Sequence, residues 1–174
     1  CYFSEGDLQG QLFARLLQSF PRFVPTGVRR GPESRSVFKT PVVHREYGAG
    51  SGRRVDLVML GADDLACADR NLTHKGKYLV PAYAFELGTE KSGNARAHIQ
   101  SDLQKLAHCR TRGYLIHFFR DVTSAAHGSK LRARAEERIE KVFRTHASQA
   151  KTPENVRAVF FLVRLAWNKK NIRG

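Results

Sequence analysis

Two carboxylates stand where an ionised acid is expensive. Asp56 lies in "RVDLVML", among Val55, Leu57, Val58, Met59 and Leu60. That run reads as a strand covered on both faces, where a charge must be paired or hold a metal. Glu86 ends the apolar run of "YLVPAYAFELGTEKSG", just before its glycine-punctuated polar part. If the strands at 53–60 and 79–87 are neighbours, the two acids converge on one edge of a sheet. Like charges brought together repel unless a cation sits between them. Oxygen-only ligands suit Mg²⁺ or Mn²⁺, ions that keep several waters and readily engage phosphate. Taken singly, Asp56 could instead pair with Arg45, Arg53 or Arg54, and Glu86 could be one half of a strand-end ion pair; their joint placement favours a metal.

The elements that must position these acids follow from periodicity and turn chemistry. Leu8, Leu12, Phe13, Leu16, Leu17 and Phe20 recur at helical spacing, with Ser4 and Asp7 as a variant capping box and Pro21 beyond the end. Residues 21–36, rich in Pro, Gly and Arg, read as a loop. Two β-rich runs at 37–47 and 53–60, joined by "GAGSG", predict a hairpin; Pro41 makes its first strand an edge or delays its start. After a polar connection with a short helix, "YLVPAYAFEL" is a strand with Glu86 at its C-terminal end. Ile99, Leu103, Leu106 and Cys109 mark a helix over 94–112, stopped by Gly113. "YLIHFF" is a short apolar strand; a charged helix at 129–148 and the strand "RAVFFLVRLAW" follow. The order predicts a mixed α/β fold with one right-handed crossover through the helix at 94–112.

This order, together with "RVDLVML" and "AYAFELGTEK", resembles the PD-(D/E)XK nuclease superfamily over most of residues 4–119. The resemblance implies a restriction-endonuclease-like αβββαβ core, a mixed sheet flanked by helices, here with an additional C-terminal helix and strand. It also implies an acidic residue in the first helix, an Asp in the second hairpin strand and a (D/E)XK element ending the next strand. These roles fall on Glu5, Asp56 and Glu86, with the carbonyl of Leu87 as a further metal ligand. Val55 replaces the Pro that precedes the Asp, a common relaxation. Gly88 stands where the motif Lys belongs; that Lys orients the attacking water and stabilises developing negative charge. Its role would pass to Lys91 in the same loop or to Lys105 on the following helix, or metal-bound water would act without it.

Each residue also has a plainer account. Glu5 in a first helical turn complements the helix dipole. Lys91 in a polar loop is solvated by default. Gln100, Asp102 and Lys105 fit an ordinary polar helix face with an Asp102–Lys105 pair. His98, His108 and His117 have no zinc-ligand spacing and read as core or surface histidines.

With 30 Lys+Arg against 16 Asp+Glu, a formal charge of +14, the chain points to a polyanionic partner, DNA first; an acidic protein is the other candidate. Arg29, Arg30, Arg35, Lys39, Arg45, Arg53 and Arg54 cluster before Asp56, and with Lys91 and Lys105 they are the candidate phosphate contacts. Three cysteines without CxxC spacing suggest neither a disulfide framework nor a zinc finger, and predict a reducing, cytoplasmic setting. No apolar stretch could span a bilayer. The 174 residues are sized for one nuclease-like domain, complete or excised from a larger protein. Cutting both strands of a duplex would call for two active sites, hence a homodimer or a larger assembly. The expectation is a Mg²⁺- or Mn²⁺-dependent endodeoxyribonuclease; the alternative is a catalytically degenerate module that binds nucleic acid or assembles a DNA-processing complex.

Overall fold

The computed structural model describes residues 4–29, 35–48, 54–66, 79–90, 95–109, 111–120, 129–149 and 151–163. Helix α1 (Glu5–Ser19) begins at a reciprocal cap. Asp7 N–H donates to Ser4 Oγ at 3.1 Å, and Ser4 N–H donates to Asp7 Oδ2 at 2.7 Å, which satisfies two otherwise orphaned donors.

The stretch expected to be a loop at 21–36 instead contains strand β1 (Phe23–Arg29), paired antiparallel with β2 (Arg35–Pro41) from Phe23↔Pro41 to Arg29↔Arg35. The cross-strand ladder overrides the local turn signals of Pro25 and Gly27. The run from 37 to 47 is split at Val42, so its first half belongs to this two-stranded sheet. Its second half is β3 (Val43–Gly48), which pairs with β4 (Arg54–Met59) as the expected hairpin. As Pro41 predicted, β3 starts late and is an edge strand.

After the short helix α2 (Ala62–Ala66), strand β5 spans Tyr83–Glu90. It begins beyond Pro81 and runs through Gly88, so Glu86 lies inside the strand rather than at its end. Helix α3 (Ala95–His108) crosses over to β6 (Arg112–Phe119), and α4 (Ser129–Gln149) crosses to β7 (Val156–Leu162). Gly113 is not the stop of α3: it lies in β6, where a Cβ would come within 3.1 Å of Leu106 Cβ. The helix packs closely on the strand there.

The main sheet has the order β3-β4-β5-β6-β7, antiparallel through β5 and parallel from β5 to β7. Helix α1 packs along β3, β4 and β5; α3 covers β4 to β7, and α4 lies on β6 and β7. The fold is thus mixed α/β, a five-stranded sheet flanked by helices. Val55, Leu57 and Val58 are all 0 % exposed, so β4 is covered on both faces as its composition required. No described helix is long and apolar enough to cross a membrane.

Candidate active site

Alternation along β5 puts Ala84, Glu86, Gly88 and Glu90 on one face, and the parallel register sets them beside Gly113, Leu115, His117 and Phe119 of β6. On the other side of β5, Val58 pairs with Ala84 and Leu57 with Phe85. Asp56 and Glu86 therefore come next on neighbouring strands and on one face. There the side chain of Asp56 reaches across, and its Oδ2 accepts the Leu87 N–H at 2.8 Å. Asp56 is thus fixed by a backbone donor; of the arginines weighed for it, neither Arg45 nor Arg54 is its partner among the described residues, and Arg53 lies outside them.

Glu86 is 1 % exposed. Its Oε2 accepts a hydrogen bond from Lys105 Nζ at 2.9 Å, whereas its Oε1 has no hydrogen-bond partner among the described residues. The same Nζ reaches Asp102 Oδ1 at 2.8 Å, confirming the pair expected on the helix face. Lys105 therefore ties α3 to β5 as well as to its own helix.

Burial, only partly offset by the Leu87 N–H and by Lys105, pushes the Asp56 carboxyl up to about 6. Burial and the negative charges of Asp56 and Asp102 push Glu86 upward as well. Lys105 moves the other way to what burial alone would do: hydrogen bonds to Asp102 and Glu86 hold it above the usual lysine range. One ammonium does not neutralise the carboxylates around it.

Glu5 opens α1, and its Oε2 is 4.0 Å from His98 Nε2. Its charge also raises the Asp56 pKa, after the larger effects of burial, so the helix-start acid does face the site. Lys91 and Arg53 lie outside the described residues. Arg54 is exposed. Arg45 donates to Gln9 Oε1 at 2.6 Å and lies over the Phe13 ring, so part of its side chain docks α1 on β3.

The second half of the site was not visible in residue spacing. His98 and His117, read as core or surface histidines, both meet Glu90 Oε1 through Nδ1, at 2.8 and 2.6 Å. Their Nε2 atoms lie 3.3 and 3.2 Å from Asp102 Oδ2. The three residues Glu90, His98 and His117 come from β5, α3 and β6, so no local motif could announce them. Hydrogen bonding to Glu90 raises His98 to about 9. Burial would lower the His117 pKa, but the carboxylates of Asp102 and Glu90 beside its two nitrogens outweigh it and raise it.

Gly88 acquires a reason here. A Cβ at position 88 would stand 2.6 Å from His117 Cε1 and 2.9 Å from Glu90 Oε1. The volume a motif lysine would enter is filled by an imidazole.

No family model matches the chain, and neither a curated protein nor a solved structure matches it.

Proposed function

We propose that this chain is a nuclease domain that hydrolyses DNA phosphodiester bonds with a Mg²⁺ or Mn²⁺ ion held by Asp56 and Glu86. The observation that carries the reading is the convergence of these two acids, from adjacent strands, beside the Lys105 ammonium. Glu86 Oε1, without a hydrogen-bond partner among the described residues, and the upward-shifted carboxyls mark a site short of positive charge, and an oxygen donor set fits a hard divalent cation. With β1, β2 and α2 set aside as insertions, the order α1, β3, β4, β5, α3, β6 is compatible with an αβββαβ core and supports the same reading. The charge of +14 suits a DNA partner.

In this scheme Asp56 and Glu86 would hold the ion, which would supply Lewis-acid stabilisation of the phosphodiester and lower the pKa of water there. Asp56 is oriented by the Leu87 N–H through Oδ2, which leaves its other oxygen for a ligand. Glu86 presents Oε1 while Lys105 holds Oε2. Because Lys105 is held protonated, it acts as a fixed positive charge toward the phosphoryl oxygens and not as a general base. It takes the place left by Gly88, and Glu5 completes the acidic rim.

The test is plasmid cleavage with Mg²⁺ or Mn²⁺, comparing the parent with Asp56→Ala and Glu86→Ala. Cleavage by the parent alone is expected; unchanged cutting by both variants sinks the site. The competing reading, a binding module without chemistry, is favoured by the closure of position 88. It predicts steeply salt-dependent DNA binding by the parent and no divalent-dependent cleavage. Lys105→Met is expected to slow single-turnover cleavage by on the order of 10²–10³-fold, the usual cost of removing one transition-state charge contact. DNA affinity should change far less.

A further inference from the structure

The cluster beyond Gly88 has donors of another chemical type. Glu90, His98 and His117 each offer one ligand atom, all within 4.8 Å of one another. Glu90 and His117 are almost fully buried, while His98 is about one-third exposed and gives the cluster an open side.

With the His117 ring neutral, two polar atoms next to this trio are left unexplained by a metal-free arrangement. His117 Nε2 and Asp102 Oδ2 belong to residues 0 % and 1 % exposed, and neither has a hydrogen-bond partner among the described residues although they are 3.2 Å apart. An imidazole that gives its only N–H to Glu90 through Nδ1 leaves a bare Nε2 facing a carboxylate oxygen. Two acceptors then meet in a dry place, which is costly.

A metal on the Nδ1 side reverses this. Each Nδ1 becomes a ligand, the imidazole proton resides on Nε2, and Asp102 Oδ2 becomes its acceptor from both rings. A carboxylate behind a ligating histidine is the usual outer partner of such sites. Ligand atoms of a tetrahedral site with bonds of about 2.0–2.1 Å stand about 3.3 Å apart. From 2.6 and 2.8 Å, the Glu90 oxygen and the two nitrogens need separate by less than about 1 Å to admit the ion.

We infer that Glu90, His98 and His117 form a second metal site, for a divalent transition-metal ion of the zinc, iron or manganese class, with Asp102 as the outer carboxylate and solvent on the His98 side. Two imidazoles and one carboxylate select such ions over Mg²⁺. The site is separate from the Asp56–Glu86 pair and does not depend on the nuclease reading.

The test is titration of the whole chain with Co²⁺, followed by its visible d–d absorption, in the parent and in Asp56→Asn, which disables the oxygen-only pair. One equivalent bound with the same bands in both, displaced by Zn²⁺ and not by Mg²⁺, is the expected result. His98→Ala, a substitution on the exposed side of the cluster, should abolish the bands. Asp102→Asn should weaken binding by about 10–100-fold. Absence of the bands in the parent, or bands that persist unchanged in His98→Ala, overturns the site and leaves protonated imidazoles bridging two carboxylates.

Discussion

Asp56→Asn is expected to raise the melting temperature of the metal-free chain at pH 8 while removing divalent-dependent cleavage. The Asn oxygen can still accept the Leu87 N–H, so the local geometry is kept. What changes is charge. The folded-state carboxyl titrates near 6, against 3.8 for the free group, so folding favours its protonated form. That contribution is fully present below pH 3.8 and is lost as the pH rises through 6. At pH 8 the metal-free parent therefore carries a buried charge that the variant lacks. After allowance for solvent screening, the difference is about 1–2 kcal/mol, or several degrees for a domain of this size. Thermal melts in EDTA at pH 4 and pH 8 check it: the gap should open only at the higher pH. Added Mg²⁺ should stabilise the parent and leave the variant unmoved. Equal melting temperatures at pH 8 would refute the strain assigned to Asp56.

Placing a lysine at position 88 by Gly88→Lys is expected to damage the protein rather than improve it. Even Gly88→Ala places a Cβ 2.6 Å from His117 Cε1 and 2.7 Å from its Nδ1. The ring cannot simply swing away, because it is 0 % exposed and bonded to Glu90. A cost of about 3 kcal/mol, the upper part of the overpacking range, is expected from urea denaturation. The diagnostic comparison is the double variant Gly88→Ala with His117→Ala. Removing the imbedded ring should relieve the clash, so the two costs should fall short of their sum by about 1–2 kcal/mol. Strict additivity would mean that the ring is not what excludes a side chain at position 88.

Asp56 and Glu86 could be read from the chain because each interrupts an apolar strand, and strand periodicity is a local property. The hairpin and the helices at 94–112 and 129–148 were legible for the same reason, though only the first helix was expected as a crossover, and Pro41 pointed to the edge position of β3. Strand β1 was not, since Pro25 and Gly27 speak for a turn and only its ladder with β2 reverses them. The end of β5 was missed likewise: Gly88 looks like a loop residue until its pairing with His117 and the next steps to Glu90↔Phe119 are known. The histidine cluster is the extreme case. Its members lie on β5, α3 and β6, and their meeting is a product of sheet register and helix packing. The one local trace was Gly88 itself, an absence of side chain that marks where another residue must enter.

Helix α3 reaches the sheet through three polar attachments, His98 on Glu90, Asp102 beside His117 and Lys105 on Glu86. An apolar helix face can slide along a sheet with gradual loss of contact. These attachments have no such latitude. A displacement of one turn, about 5.4 Å, would part all three at once and leave Glu86 without its ammonium in a dry interior. The helix therefore has one seat on the sheet in which both clusters are assembled, and a neighbouring register along the strands would assemble neither.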